Sequence, residues 1–175
     1  GEVSIQRVED ILDAKPEVQT APSAIPLPLE QVQGTLEARQ LSYAYPESKT
    51  PALNAVSFKI APGEQIAIVG PIGSGKSTLA NALPRLLDIG PGQLYLDGYD
   101  VTELPLADLR RAIAYVPQDS FLFSTSIQNN IRYGEPLMEF PEVQHAAKQA
   151  QMDEEIQNFP QQYNTIVGER GITLS

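Results

Sequence analysis

Nine consecutive residues constrain this chain more than any others: Gly70, Pro71, Ile72, Gly73, Ser74, Gly75, Lys76, Ser77 and Thr78. They fit the pattern G-x-x-x-x-G-K-[ST] through Gly70, Gly75, Lys76 and Ser77. The apolar run Ile66 to Val69 stands directly before them, and a helical pattern follows from about Gly75 through Leu87. A short apolar run bounded by glycines predicts a strand buried on both faces. Glycines let a chain curl until successive backbone N–H groups converge on one anion. A helix beginning there adds its free N–H groups and the positive end of its dipole. Lys76 can then reach the outer phosphates of a nucleotide, and the Ser77 hydroxyl can ligate Mg²⁺. A glycine-rich helix start with an incidental lysine is the alternative, and it leaves the strand–loop–helix placement unexplained.

Charge limits the partners. Lysine and arginine number 12 against 22 acidic residues, a formal net charge of −10. A nucleic acid needs a basic face, so this balance argues against one. A mononucleotide needs only a few local donors and a metal. The chain has no cysteine, which removes disulfides and cysteine-ligated metals. No window approaches the roughly 18 consecutive apolar residues of a membrane span, and GEVSIQRVED has no apolar core of a secretory signal. The expectation is a soluble chain with a cytosolic default.

Organisation changes along the chain. Ile5, Val8 and Leu12 recur at helical spacing in residues 1–14, which predicts a short surface helix. Prolines 16, 22, 26 and 28 then mark an extended connector rather than a core element, with a domain boundary near residue 33. Residues 1–33 are thus read as linker helix and connector, and 34–175 as the domain. TLEARQLSYAY and NAVSFKI alternate at period two and predict antiparallel strands. Asp97-Gly98 is the strongest hairpin signal. Leu106 to Ala112 reads as helix, Ile113 to Val116 as another buried strand, and Ser126 to Ile131, Glu142 to Gln151 and Asp153 to Asn158 as helices. This order predicts an α/β domain carrying an antiparallel subsheet. His145, the only histidine, falls in a polar pattern and reads as a surface residue. Asp153, Glu154 and Glu155 open a helix, where they would favour its dipole.

Several ordered segments beyond the phosphate loop resemble the ATP-binding cassette (ABC) ATPase family, over essentially the whole chain. They are LSYAYPE, AIAYVPQDSFLFS, SIQNNIRYG and TIVGERGITLS. The last of these, with the N-terminal SIQRVEDILDAKPEV, is similar to exporters whose membrane and nucleotide domains share one chain. The resemblance implies a P-loop NTPase of ABC type, with an antiparallel β-subdomain, a partial parallel core sheet and part of a helical subdomain.

It also implies roles. Tyr45 would stack on adenine, whereas spacing alone makes Tyr43 and Tyr45 same-face strand residues. Gln118 would touch Mg²⁺ or the attacking water, whereas spacing alone makes it a polar strand end. The segment SIQNNIRYG would lie where exporter helices dock. Glu169 and Arg170 would contact intracellular helices, or simply form a solvated pair of little energetic worth. Leu174-Ser175 looks like the first two residues of the LSGGQ signature.

Set against the family pattern, the sequence lacks the rest of that signature, the metal-binding aspartate, the catalytic glutamate and the switch histidine. The implied parent is a transport-coupled ATP hydrolase at the cytoplasmic face of a membrane. Its partners would be ATP, the membrane domain of the same chain and a second nucleotide-binding domain, as homodimer or heterodimer. These 175 residues themselves are expected to bind nucleotide at most, without hydrolysing it. Two alternatives stand beside this: a soluble ABC ATPase without a membrane domain, and a nucleotide-binding module without turnover. With its partner strands absent from this sequence, Ile66 to Val69 is expected to expose an apolar edge. That leads either to partial disorder around the loop or to self-association.

Overall fold

The computed structural model describes residues 13–14, 16–118 and 121–168. The predicted helix of residues 1–14 falls almost wholly outside them, as do Glu169, Arg170, Leu174 and Ser175. Two compact units divide the chain, residues 1–115 and 116–175.

The first unit is built on a four-stranded antiparallel sheet in the order β2-β1-β3-β4, formed by β1 (Leu36–Tyr43), β2 (Leu53–Ile60), β3 (Leu94–Leu96) and β4 (Tyr99–Asp100). β1 pairs with β2 from Leu36 opposite Ile60 to Tyr43 opposite Leu53, and with β3 from Leu36 opposite Leu96. Ala38 and Leu41 both turn inward, where they meet Leu53, Leu94, Leu96 and Val101 in one core. The spacing of Ala38 and Leu41 breaks strict alternation, and a bulge at Gln40 (φ 50°) restores the register. Asp97 (φ 49°) and Gly98 (φ 86°) both take the left-handed conformation that a two-residue hairpin between β3 and β4 requires.

Helix α1 (Lys76–Ala82) is shorter than the pattern through Leu87 predicts. Pro84 has no N–H to continue the ladder. Arg85 turns left-handed (φ 50°), its N–H donates to the Ala82 carbonyl, and the Leu86 N–H donates back to Asn81, both at 3.0 Å. These two bonds close the helix end. Helix α2 (Leu106–Ala112) occupies its predicted span and buries Leu109.

Two predicted strands do not form. Ile66 to Val69 and Ile113 to Val116 pair with no strand among the described residues. Instead of being buried on both faces, Ile66, Ile68, Val69 and Val116 are exposed. A parallel strand exists only through neighbours that satisfy its N–H and C=O groups, and no described strand borders these runs. The apolar surface expected at the phosphate-loop edge is therefore present, while no parallel sheet is seen among the described residues.

The proline segment has a turn at residues 22–23 and a short 3-10 helix at Leu29–Gln31, and it does not stay outside the core. Leu27 is buried among Leu41, Leu94 and Leu109, with Val32 packed beside it.

The second unit is a small helical assembly. A short pair, β5 (Thr125–Ser126) and β6 (Ile166–Val167), adjoins helices α3 (Ile127–Ile131), α4 (Phe140–Gln149) and α5 (Asp153–Gln157). Ser126 caps α3 by accepting from the Asn129 N–H, and Glu139 with Glu142 forms a reciprocal capping box on α4. Ile127, Val143, Ala147, Ile156, Tyr163 and Val167 form its core. His145 is exposed, as predicted.

Asp153 departs from its expected role. It is buried, and its carboxylate accepts from the Tyr163 hydroxyl at 2.6 Å, Gln157 Nε2 at 2.9 Å and Gln144 Nε2 at 3.4 Å. Only Glu154 and Glu155 are left exposed at the helix start.

Candidate functional site

The site is the loop from Gly70 to Thr78 and what leans on it. Gly73 (φ 82°) and Gly75 (φ 87°) take left-handed backbone that other residues enter only with strain. Gly75 has a second constraint, because a Cβ there would lie 2.3 Å from the Ala52 carbonyl oxygen. The end of the β1–β2 connection therefore passes directly against the loop where α1 begins.

Lys76 reaches back across the loop. Its ammonium donates to the Gly70 carbonyl at 2.8 Å, the Pro71 carbonyl at 2.7 Å and, weakly, Ser74 Oγ at 3.4 Å. All three acceptors are neutral, so no carboxylate compensates the lysine charge among the described residues. The opening N–H groups of a helix lack intrahelical acceptors, which here applies to Lys76, Ser77 and Thr78. An uncompensated cation beside free N–H groups is a donor set that fits a polyphosphate. The Ser77 side chain is exposed and free to meet a metal held by such an anion.

Thr78 and Leu79 turn inward and anchor α1 to the core. The Thr78 hydroxyl lies 3.2 Å from the Tyr45 hydroxyl, a contact that the sequence did not indicate. Tyr45 stands just past the end of β1, remains partly exposed, and meets Tyr43 edge to face at 5.1 Å. The two rings touch, but Tyr45 lies outside the strand, so they are not same-face strand residues as spacing alone suggests, and the phosphate helix is in reach of Tyr45. At the far end of α1, the Tyr115 hydroxyl donates to Asn81 Oδ1 at 2.6 Å, a tie with no signal in the sequence pattern.

Gln118 belongs to the second unit, where it is exposed in a bend. Ile72, at the crest of the loop, is fully exposed.

A glycine loop closing on a lysine at the start of a helix defines a nucleotide-binding protein of the phosphate-loop class. Comparison with known proteins narrows the class. The family model described as "ABC transporter" matches residues 53–175. The chain is 42% identical over its full length to an ATP-dependent lipid A-core flippase of Aromatoleum aromaticum, of which it spans 29%. It is 47% identical over 148 residues (83% of the chain) to the flippase of the same name from Pseudomonas aeruginosa, spanning 24% of that protein. Among solved structures, a bacterial Atm1-family ABC exporter with ATP bound superposes on 99% of the chain with a TM-score of 0.86 and 36% identity, the match covering 30% of that protein. The chain belongs to the ABC transporter family. It spans between 24% and 30% of the length of these relatives.

Proposed function

We propose that this chain is the ATP-binding part of an exporter motor domain, in a protein that couples ATP binding and hydrolysis to moving a substrate across a membrane. The observation that carries the proposal is the loop itself: Lys76, held only by neutral carbonyl and hydroxyl oxygens, sits at the mouth of a helix start. The phosphates of ATP would draw Lys76 from those carbonyls, and the N–H groups of residues 73–78 would share the charge. Tyr45, anchored at Thr78, offers its ring to the base. Mg²⁺, when bound, neutralises phosphate charge. Ser77 is the residue of the loop suited to hold it, and family resemblance assigns Gln118 to the metal or the attacking water.

The membrane-exporter reading draws support from relatives whose names are flippase and exporter. Among the described residues, no helix is long and apolar enough to cross a membrane. The membrane domain, a second nucleotide domain and a place at the cytoplasmic face accordingly belong to the proposal for the whole protein.

Calorimetric titration of Mg-ATP tests the site. Saturable binding that is lost in Lys76→Ala is the expected result. An unchanged affinity in that variant removes the loop from the reading.

A further inference from the structure

The segment between Pro16 and Thr35 has the composition of a proline-rich spacer, and a series of polar contacts ties it down. Thr20 Oγ1 accepts from the Leu106 N–H at 3.1 Å, meeting a donor in the first turn of α2. The Ile25 N–H donates to the Glu103 carbonyl at 2.8 Å, and the Leu27 N–H to Asp108 Oδ2 at 3.2 Å. At the far end one carboxylate gathers three successive amides: Gln33 at 2.7 Å and Gly34 at 3.2 Å on Asp97 Oδ2, and Thr35 at 2.7 Å on Oδ1. The Asp97 N–H returns the bond to the Thr35 carbonyl at 2.8 Å. Between these ties Leu27 is buried in the core.

We propose that residues 16–35 form a latched strap, held by Asp97 and Asp108, that makes the chain entering at Pro16 one mechanical body with the first unit. Proline content alone gives a spacer of fixed length but free orientation. Two carboxylates at separated points, with Leu27 buried at one of them and Val32 packed on the core between, fix orientation as well. Each latch acts across more than 60 residues of sequence, so neither is a local turn. Asp97 stands in the two-residue hairpin turn between β3 and β4, where both of its carboxylate oxygens are taken up by the amides of residues 33–35. Any displacement of the polypeptide before Pro16 would then turn the whole sheet and its phosphate loop, instead of being absorbed in a slack linker. This inference does not depend on nucleotide binding.

Amide hydrogen exchange tests the latches in the chain as it stands, without nucleotide. Asp97→Asn is the informative variant, because asparagine suits the left-handed hairpin position while accepting through only one oxygen. The expected result is slow exchange at residues 25, 27 and 33–35 in the wild type. Asp97→Asn should speed residues 33–35 at least tenfold, with β3 and α1 unchanged. Asp108→Ala, which leaves no side-chain acceptor, should act on Leu27 alone. Free exchange of the strap in the wild type, unchanged rates in Asp97→Asn, or loss of protection throughout the unit in both variants would each overturn the proposal.

A second readout reports orientation. The chain has no cysteine, so spin labels on Glu17→Cys and Arg111→Cys are unique. Their distance distribution should be narrow, and should broaden when Asp97→Asn and Asp108→Ala are combined. A distribution already broad in the wild type sinks the strap.

Discussion

The Tyr45 hydroxyl lies 3.2 Å from Thr78 Oγ1, joining the residue just past β1 to the first turn of the phosphate helix. This contact separates two jobs of one side chain. The hydroxyl contacts α1, while the proposed function gives the ring to the base. Tyr45→Phe should therefore lower stability by about 1 kcal/mol, the net worth of one such bond, and leave ATP affinity close to wild type. Tyr45→Ala should weaken ATP by about 1–3 kcal/mol, the range for base–aromatic stacking. Calorimetry and thermal unfolding of the two variants check this pair. Equal loss of affinity in both would show that the ring does not stack.

Gly75→Ala places a methyl group against the Ala52 carbonyl and forces alanine to φ 87°. Left-handed backbone alone costs a non-glycine residue about 1–2 kcal/mol, and the clash adds to it. A fall in unfolding free energy of at least about 2 kcal/mol is expected by denaturant titration. Gly98→Ala meets no atom within 4 Å and pays only for its backbone (φ 86°), so it is the milder control.

The Asp153–Tyr163 pair predicts how the second unit responds to pH. The Tyr163 hydroxyl bond, opposed by burial and helped by Gln157 and Gln144, holds the Asp153 carboxyl below its ordinary value. Its contribution is present above the unfolded value of about 4 and is lost as pH falls through the lower folded value. Burial first, then the bond to Asp153, pushes Tyr163 up to about 12. Between the unfolded value of about 10 and that figure, the native state keeps a proton that the unfolded state has lost, so stability falls as pH rises. Tyr163→Phe should abolish the alkaline limb and destabilise by about 1–3 kcal/mol, because a buried carboxylate loses its shortest donor. Circular dichroism melts from pH 3 to pH 12 report both limbs.

Ile66, Ile68 and Val69 present apolar side chains to solvent beside the phosphate loop, on a run that no described strand pairs. Such a surface favours self-association. Sedimentation of the 175-residue chain should show concentration-dependent dimers or larger species, reduced in Val69→Asp. A monomer at every concentration would count against this reading.

Much of the first unit was legible because its signals are local. Alternation in LEARQLSY, the Asp97-Gly98 turn and the phosphate-loop pattern each specify backbone within a few residues, and each appears where the sequence predicts it. The Lys76 position follows from the same pattern. Pro84 is visible in the sequence too, and its missing N–H ends the helix short of the Leu87 that the helical pattern reaches.

What stayed hidden depends on distant partners. Ile66 to Val69 carries a strand's composition, but composition cannot supply the neighbours that make a strand. Asp153 sits at a helix start, where an acidic residue usually faces solvent. Only folding brings Tyr163 over it and buries both. Leu27 lies in a proline-rich stretch that reads as a connector, so no periodic pattern marks it as a core position.

The sequence by itself determined the phosphate-binding loop, the antiparallel pairing and the family, because glycine torsions, period two and motif spacing are short-range properties. Tertiary structure alone decided that Tyr45 meets Thr78, that Asp97 gathers the amides of residues 33–35, and that Asp153 is buried. Each of these contacts joins residues that nothing in the local chain pairs. Their energy appears only when packing has brought the groups together and removed the water between them.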